Sequence, residues 1–328
     1  MQYVVIDPYT LIFDATNNSE SKMQRYIDLI LDTGDIEDYP YLVGLISNNT
    51  IELLMEHNNY PDWEKLNAEL KKFDLSKKYQ AQDIIRVLEG ILRFETVEEH
   101  TKIKEILFSI SYENANVISD TTELYLRELE RLYIYCYLIK KKDGEIFLKS
   151  SNSNEIEVAS EILDVEAFGE LELDIPFSFK EKLKTIETLE EILFNINCIE
   201  LWKETTSEEQ IRDIINLYLI QERCYIKKNT WEIGNYFIEN FRKFGFSHES
   251  TKIKMLLRSI LEVICETNLA KGHALREDKS GGASQIESHL GKAWRYDIDR
   301  EYHLHYWKKG NLITLASIGP HNAFSIPF

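Results

Sequence analysis

Two seven-residue stretches near the end of the chain alternate strictly, and that alternation limits their fold to β-strands. In AWRYDID, residues 293–299, Trp294, Tyr296 and Ile298 fall on one side, with Arg295, Asp297 and Asp299 on the other. In EYHLHYW, residues 301–307, Tyr302, Leu304 and Tyr306 share one face, and His303, His305 and Trp307 share the opposite one. A turn at Lys309-Gly310-Asn311 leads into an apolar run, LITLASIG, and HALRED at 273–278 reads as a fourth strand. These pieces predict a small antiparallel sheet. Trp294, Tyr296, Tyr302 and Tyr306 belong to its core, because aromatic side chains on one strand face pack together.

The stretch 271–328 also concentrates chemistry. It holds five of the eight histidines (His273, His289, His303, His305 and His321), together with Arg276, Lys279, Arg295 and Arg300. It carries eight Lys and Arg against six Asp and Glu, so the residues before it bear more than the whole formal charge of −18. An acidic chain with a mildly basic module is not coated for nucleic-acid binding throughout. His303 and His305, two apart on a strand, lie roughly 6.5–7 Å apart on one face. A neighbouring strand that presents Arg295 adds a guanidinium. Imidazole suits acid–base work near neutral pH, and guanidinium suits a phosphate oxygen gaining charge. Metal-independent RNA cleavage requires these groups, and Trp307 could stack on a base. The glycine pair at 281–282 makes a loop that can bring Lys279 to a ligand.

The residues leave other readings open. His-x-His can supply two metal ligands, with a third from His273, His321 or Asp297. The histidines can instead be structural. Arg295 can simply pair with Asp297 or Asp299. No G-x-x-x-x-G-K-[ST] accompanies the glycine pair.

Before residue 269 the chain reads as mostly helical. Helical spacing marks 19–34, 42–59 with a break at Asn48-Asn49, 61–73, 76–94, 97–110 and 121–139, with a hairpin around Asp143-Gly144. Four further helices are read at 180–196, 207–226, 230–244 and 248–268, and SSNSNE at 150–155 reads as a linker. Short strands begin the chain. The expected fold is therefore α+β: a mostly helical segment at 1–150, a helical one at 156–268 and a sheet module at 269–328. Cys136, Cys198, Cys224 and Cys265 are dispersed, which predicts free buried thiols rather than a disulfide framework or a zinc site. The opening MQYVVIDPYTLIFD lacks the features of a signal peptide, and no apolar run reaches the ~20 residues that span a membrane. A cytoplasmic protein with no membrane association is expected.

The order of helix, glycine loop and AWRYDIDREYHLHYWKKGNLITLASIGPHNAF resembles the RelE/ParE toxin superfamily, within the wider group of barnase-like, EndoU-like and colicin-type ribonucleases. The resemblance implies an endoribonuclease or toxin effector of a toxin–antitoxin or phage-defence system, acting on RNA without a cofactor and held by a protein partner or antitoxin. It implies that Arg295 binds phosphate and that His303 or His305 acts as acid or base, with His273 beside them. Arg276 and Lys279 become further cations, and His321 sits at the end of the last strand. A non-catalytic interaction protein is the alternative. VVIDPYTLIFD also resembles the start of PIN-like nucleases, which would make Asp7, with Asp14, Asp83 and Asp120, a metal site.

Overall fold

The computed structural model describes residues 1–14, 19–56, 60–113, 123–151, 154–169, 174–224, 229–277 and 283–327. They form two compact units, Met1–Ile192 and Leu193–Phe328. The architecture is α/β, with 45% helix and 29% strand in two mixed sheets, and this corrects the expectation of a mainly helical chain with one small sheet.

The first unit is built on a seven-stranded sheet. Its strands are β1 (Gln2–Ile6), β2 (Leu42–Ile46), β3 (Glu95–Thr96), β4 (Ile103–Glu113), β5 (Ile146–Lys149), β6 (Asn154–Ala167) and β7 (Phe177–Ile186), in the order β3-β2-β1-β5-β7-β6-β4. The first five in that order run parallel, and β6 and β4 continue the sheet antiparallel. Parallel strands are covered on both faces, so they read as unbroken apolar runs. Val4, Val5 and Ile6 of β1 are all fully buried. This explains why LVGLI was read as helix: it lacks the alternation that marks a half-exposed strand. Helical spacing at 97–110 and 180–196 held only for Val97–Thr101 and Leu189–Asn195; β4 and most of β7 occupy the other parts of those ranges. The expected linker at 150–155 runs into β6. The expected hairpin is instead a helix, Glu123–Asp143, followed by β5 pairing parallel to β1. That helix has consecutive buried residues from Leu132 to Cys136, so it lies inside the unit rather than on it.

The second unit holds a six-stranded sheet: β8 (Thr230–Ile233), β9 (Gly272–Ala274), β10 (Glu287–Ser288), β11 (Gly291–Asp297), β12 (Tyr302–Lys309) and β13 (Leu312–Pro320). The order is β10-β11-β12-β13-β8, with β9 also on β11. β11, β12 and β13 form the antiparallel meander that the alternation predicted. TWEI, read as the start of a helix, is β8, parallel to β13. The helix Ser250–Ile264 covers one face: Glu262 accepts from the Tyr296 hydroxyl at 2.7 Å, and Glu266 pairs with Lys308. Cys224 and Cys265 are joined by a disulfide, which corrects the expectation of four free thiols; Cys136 and Cys198 remain free and buried. Among the described residues no helix is long and apolar enough to cross a membrane.

One ion pair ties the first unit together. Lys149 is fully buried at the end of β5, and its Nζ donates to Asp32 Oδ2 and to the Glu187 carbonyl, both at 2.6 Å. Asp32 also accepts from the Leu189 amide at 2.8 Å. Removing one partner strands a buried charge, which costs about 3–5 kcal/mol. Urea denaturation should therefore show that loss for Asp32→Ala, and adding Lys149→Met should recover part of it. An equal loss in single and double variants would show that the pair is not what holds these elements.

Candidate functional site

In open parallel sheets, ligands bind at the carboxyl ends of the strands, where the strand order reverses. In the first unit that point lies between β1 and β5, at Asp7 and Ser150. Asp7 is almost fully buried there. Its carboxylate accepts from the Tyr125 hydroxyl at 2.6 Å, the Ser150 hydroxyl at 2.8 Å and the Tyr9 amide at 3.0 Å. Burial pushes its pKa up, with these three donors opposing. Beside it, Glu128 accepts from Ser47 and from Asn49, and Arg131 reaches Glu128 at 2.9 Å and Glu98 at 3.2 Å. Tyr125, Glu128 and Arg131 all come from the helix Glu123–Asp143. That helix plugs the crevice and satisfies its polar groups. The other acids of the metal reading do not join Asp7. Asp14 is exposed, Asp83 lies on the helix Ala81–Ile91 and pairs with Arg86, and Asp120 is outside the described residues. No group of three or more His, Cys, Asp or Glu among the described residues could hold a metal.

The second unit differs. Register pairs Arg295 with His305, Asp297 with His303, and Arg295 with His273 across neighbouring strands. Directly opposed residues point to the same face, so five polar side chains from β9, β11 and β12 gather on the side away from the helix Ser250–Ile264. The His303 and His305 rings stack with centroids 6.3 Å apart, and His321 approaches His303 at 4.5 Å. Asp297 Oδ1 lies 2.8 Å from His303 Nε2, within ion-pair range. Asp297 Oδ2 is 3.9 Å from His273, which is half exposed.

This face is closed. Residues 321–327 pass over it outside any strand. Phe324 sits over the Arg295 guanidinium at 6.0 Å, the Ser325 backbone lies beside His305, and Pro327 accepts from Trp307 Nε1 at 2.9 Å. Ile326 packs into a small core with Leu275, Ala293, Trp307 and Ala316. His303 and His305 are at most 1% exposed as a result. Beneath this cover His305 meets the Ser325 backbone, while Arg295 Nε has no hydrogen-bond partner among the described residues. Nearly all buried polar groups in folded proteins are paired, so an unpaired guanidinium nitrogen calls for an explanation.

The electrostatics follow from the burial. His305 is pushed down to about 4, chiefly by burial, with His303 and Arg295 adding positive charge nearby. His303 is also lowered, again mainly by burial, while Asp297 opposes the shift. Both rings are therefore neutral at pH 7 and able to accept a proton.

Of the residues singled out from the sequence, Arg295, His303, His305 and His321 come together, with His273 at the rim. Arg276 is occupied elsewhere, donating to the Ala283 carbonyl at 2.5 Å. Trp307 shares the histidine face as its spacing indicated, but it is fully buried under Ile326 and is not presented to a base. Lys279 lies outside the described residues. Sequence reasoning gave Asp297 no role in orienting a histidine and overlooked Phe324 and Ser325. Register alone could have revealed Asp297; nothing in NAFSIP signals a cover.

The lowered pKa has a consequence for stability. Unfolded histidine takes up a proton near pH 6.5, whereas folded His305 resists it to about 4. Its contribution is thus complete above pH 6.5 and is lost as pH falls toward 4, by at most about 3 kcal/mol. Melting temperatures of wild type and His305→Gln should diverge over that window, with the variant less sensitive to acid. Parallel curves would mean that His305 protonates normally in the fold. No family model matches the chain, nor does any curated protein or solved structure.

Proposed function

We propose that the second unit cleaves RNA without a metal, by transphosphorylation at the Arg295–His303–His305 face. The observation that carries this reading is the shared face: register brings Arg295, His303 and His305 to one side of the sheet, where Arg295 Nε has no hydrogen-bond partner among the described residues. A phosphate oxygen would satisfy that guanidinium nitrogen. His303, neutral and held by Asp297, accepts the 2′-hydroxyl proton as the 2′-oxygen attacks phosphorus. The bond to the 5′-oxygen breaks, and that oxygen takes a proton from His305. The neighbouring phosphate makes His305 a competent acid, since an anion beside a buried imidazole raises its pKa. Arg295 stabilises the charge on the phosphorane. The products are a 2′,3′-cyclic phosphate and a 5′-hydroxyl. The wider role as a toxin or defence effector, restrained by a partner, rests on the resemblance of this module alone.

The near-complete burial of His303 and His305 favours a second reading, in which the histidines are structural and the unit is a non-catalytic interaction module. Single-turnover assays with excess protein, single-stranded RNA and EDTA separate the two. The ribonuclease reading expects slow cleavage leaving cyclic phosphate ends. Arg295→Ala should lower the rate about a hundredfold, and His303→Gln or His305→Gln by roughly 10²–10⁴. Each variant must keep wild-type circular dichroism and melting. Cleavage that survives all three substitutions, or that EDTA abolishes, rules the site out.

A further inference from the structure

Resting on the ribonuclease reading, we infer that residues 321–327 are a pseudosubstrate strap, which occupies the cleavage face in cis and is displaced by single-stranded RNA.

The strap places groups where RNA would place its own. An aromatic ring, Phe324, lies over the Arg295 guanidinium at 6.0 Å, the position a nucleobase takes when it stacks on an arginine plane. The next residue, Ser325, brings its backbone to His305, where a phosphodiester oxygen would sit between base and acid. The mimicry is incomplete in one respect. The strap carries no anion, so Arg295 Nε stays unpaired beneath it. A permanent core element would satisfy such a group. Here the covered state keeps a buried donor waiting, and a phosphate that enters relieves it. The substrate therefore holds the open face more tightly than the strap does, which is the condition for displacement.

Ile326 is the strap's one fully seated side chain, packed against Trp307, and Pro327 accepts the Trp307 indole proton. His321, Asn322 and Ser325 are exposed. At its start the His321 amide donates to the Glu301 carbonyl at 2.7 Å and the Ala323 amide to the Pro320 carbonyl at 2.8 Å, so these residues stay in place when the rest of the strap lifts. Phe324 and Ser325 then leave together, uncovering Arg295 and His305 in one movement.

Competition in cis has a kinetic signature. If only a fraction of molecules is uncovered, apparent substrate affinity falls by that fraction while the chemical step is untouched. Releasing the strap should lower KM and leave kcat in place. The full chain with Ile326→Asp tests this with two readouts. Diethylpyrocarbonate labelling, followed by mass spectrometry, reports access to neutral imidazoles without requiring activity. The exposed His248 and His289 serve as internal references. His303 and His305 should label at least about tenfold faster in the variant, with KM for single-stranded RNA falling by a similar factor at constant kcat. Phe324→Ala, an independent and milder variant, should move both readouts the same way and covers the case in which Ile326→Asp misfolds. Unchanged labelling in a folded Phe324→Ala variant would show that the strap does not gate the face. Faster labelling with unchanged KM would show that it covers without competing. Faster labelling with no cleavage by any form would sink the ribonuclease reading instead, and the pseudosubstrate role with it.

Discussion

The second unit depends on strand register. Pairing Arg295 with His305 and Asp297 with His303 sends Trp294, Tyr296, Leu304 and Tyr306 to the other side of the sheet. A slip of one residue would exchange the two sets. The helix Ser250–Ile264 prevents that, because Glu262 binds the Tyr296 hydroxyl from its own side of the sheet. The polar face is thus a necessary counterpart of the aromatic one. A register shift in the pairing of β12 with β13, between His305 and Tyr306, bends the sheet beside the histidines. Once the aromatic residues are committed to the helix, Arg295 and both histidines must face the strap.

Two buried polar clusters show what distinguishes architecture from a candidate site. Around Asp7, three donors meet one carboxylate, and Arg131 bridges Glu98 and Glu128. That network uses nearly every polar atom it has, and it anchors the helix Glu123–Asp143 over the parallel strands. Around His305 the inventory does not balance: Arg295 Nε is left without a partner. A balanced network stabilises a fold. An unbalanced one has affinity to spare for an anion.

The alternating stretches were legible because β11 and β12 bury two chemically different faces, one aromatic and one polar. Arg295, His303 and His305 could be assigned to a shared face from spacing alone. The first sheet was legible only in part: β1 was read as a strand and β5 as one strand of a hairpin, but β2 was read as helix, because a short apolar run carries no period that separates strand from helix. In β7 the lysines at 180, 182 and 184 alternate with inward residues, yet the run into Leu189–Asn195 reads as one continuous amphipathic helix. The closure of the histidine face was equally hidden. It depends on Ile326 finding Trp307, a contact between a residue that looked like loop and one assigned to binding.

The central claim is that the Arg295–His303–His305 face is an anion site for RNA rather than a structural core. Histidine ring ¹⁵N spectra of the full chain, recorded at pH 7 with and without an uncleavable 2′-deoxy oligonucleotide, test it most directly. The account predicts neutral His303 and His305 in the free protein. It further predicts that both change on oligonucleotide addition, His305 toward the protonated form, while His248 and His289 remain as they were. Oligonucleotide binding that leaves His303 and His305 unchanged, or no binding at all, would contradict it.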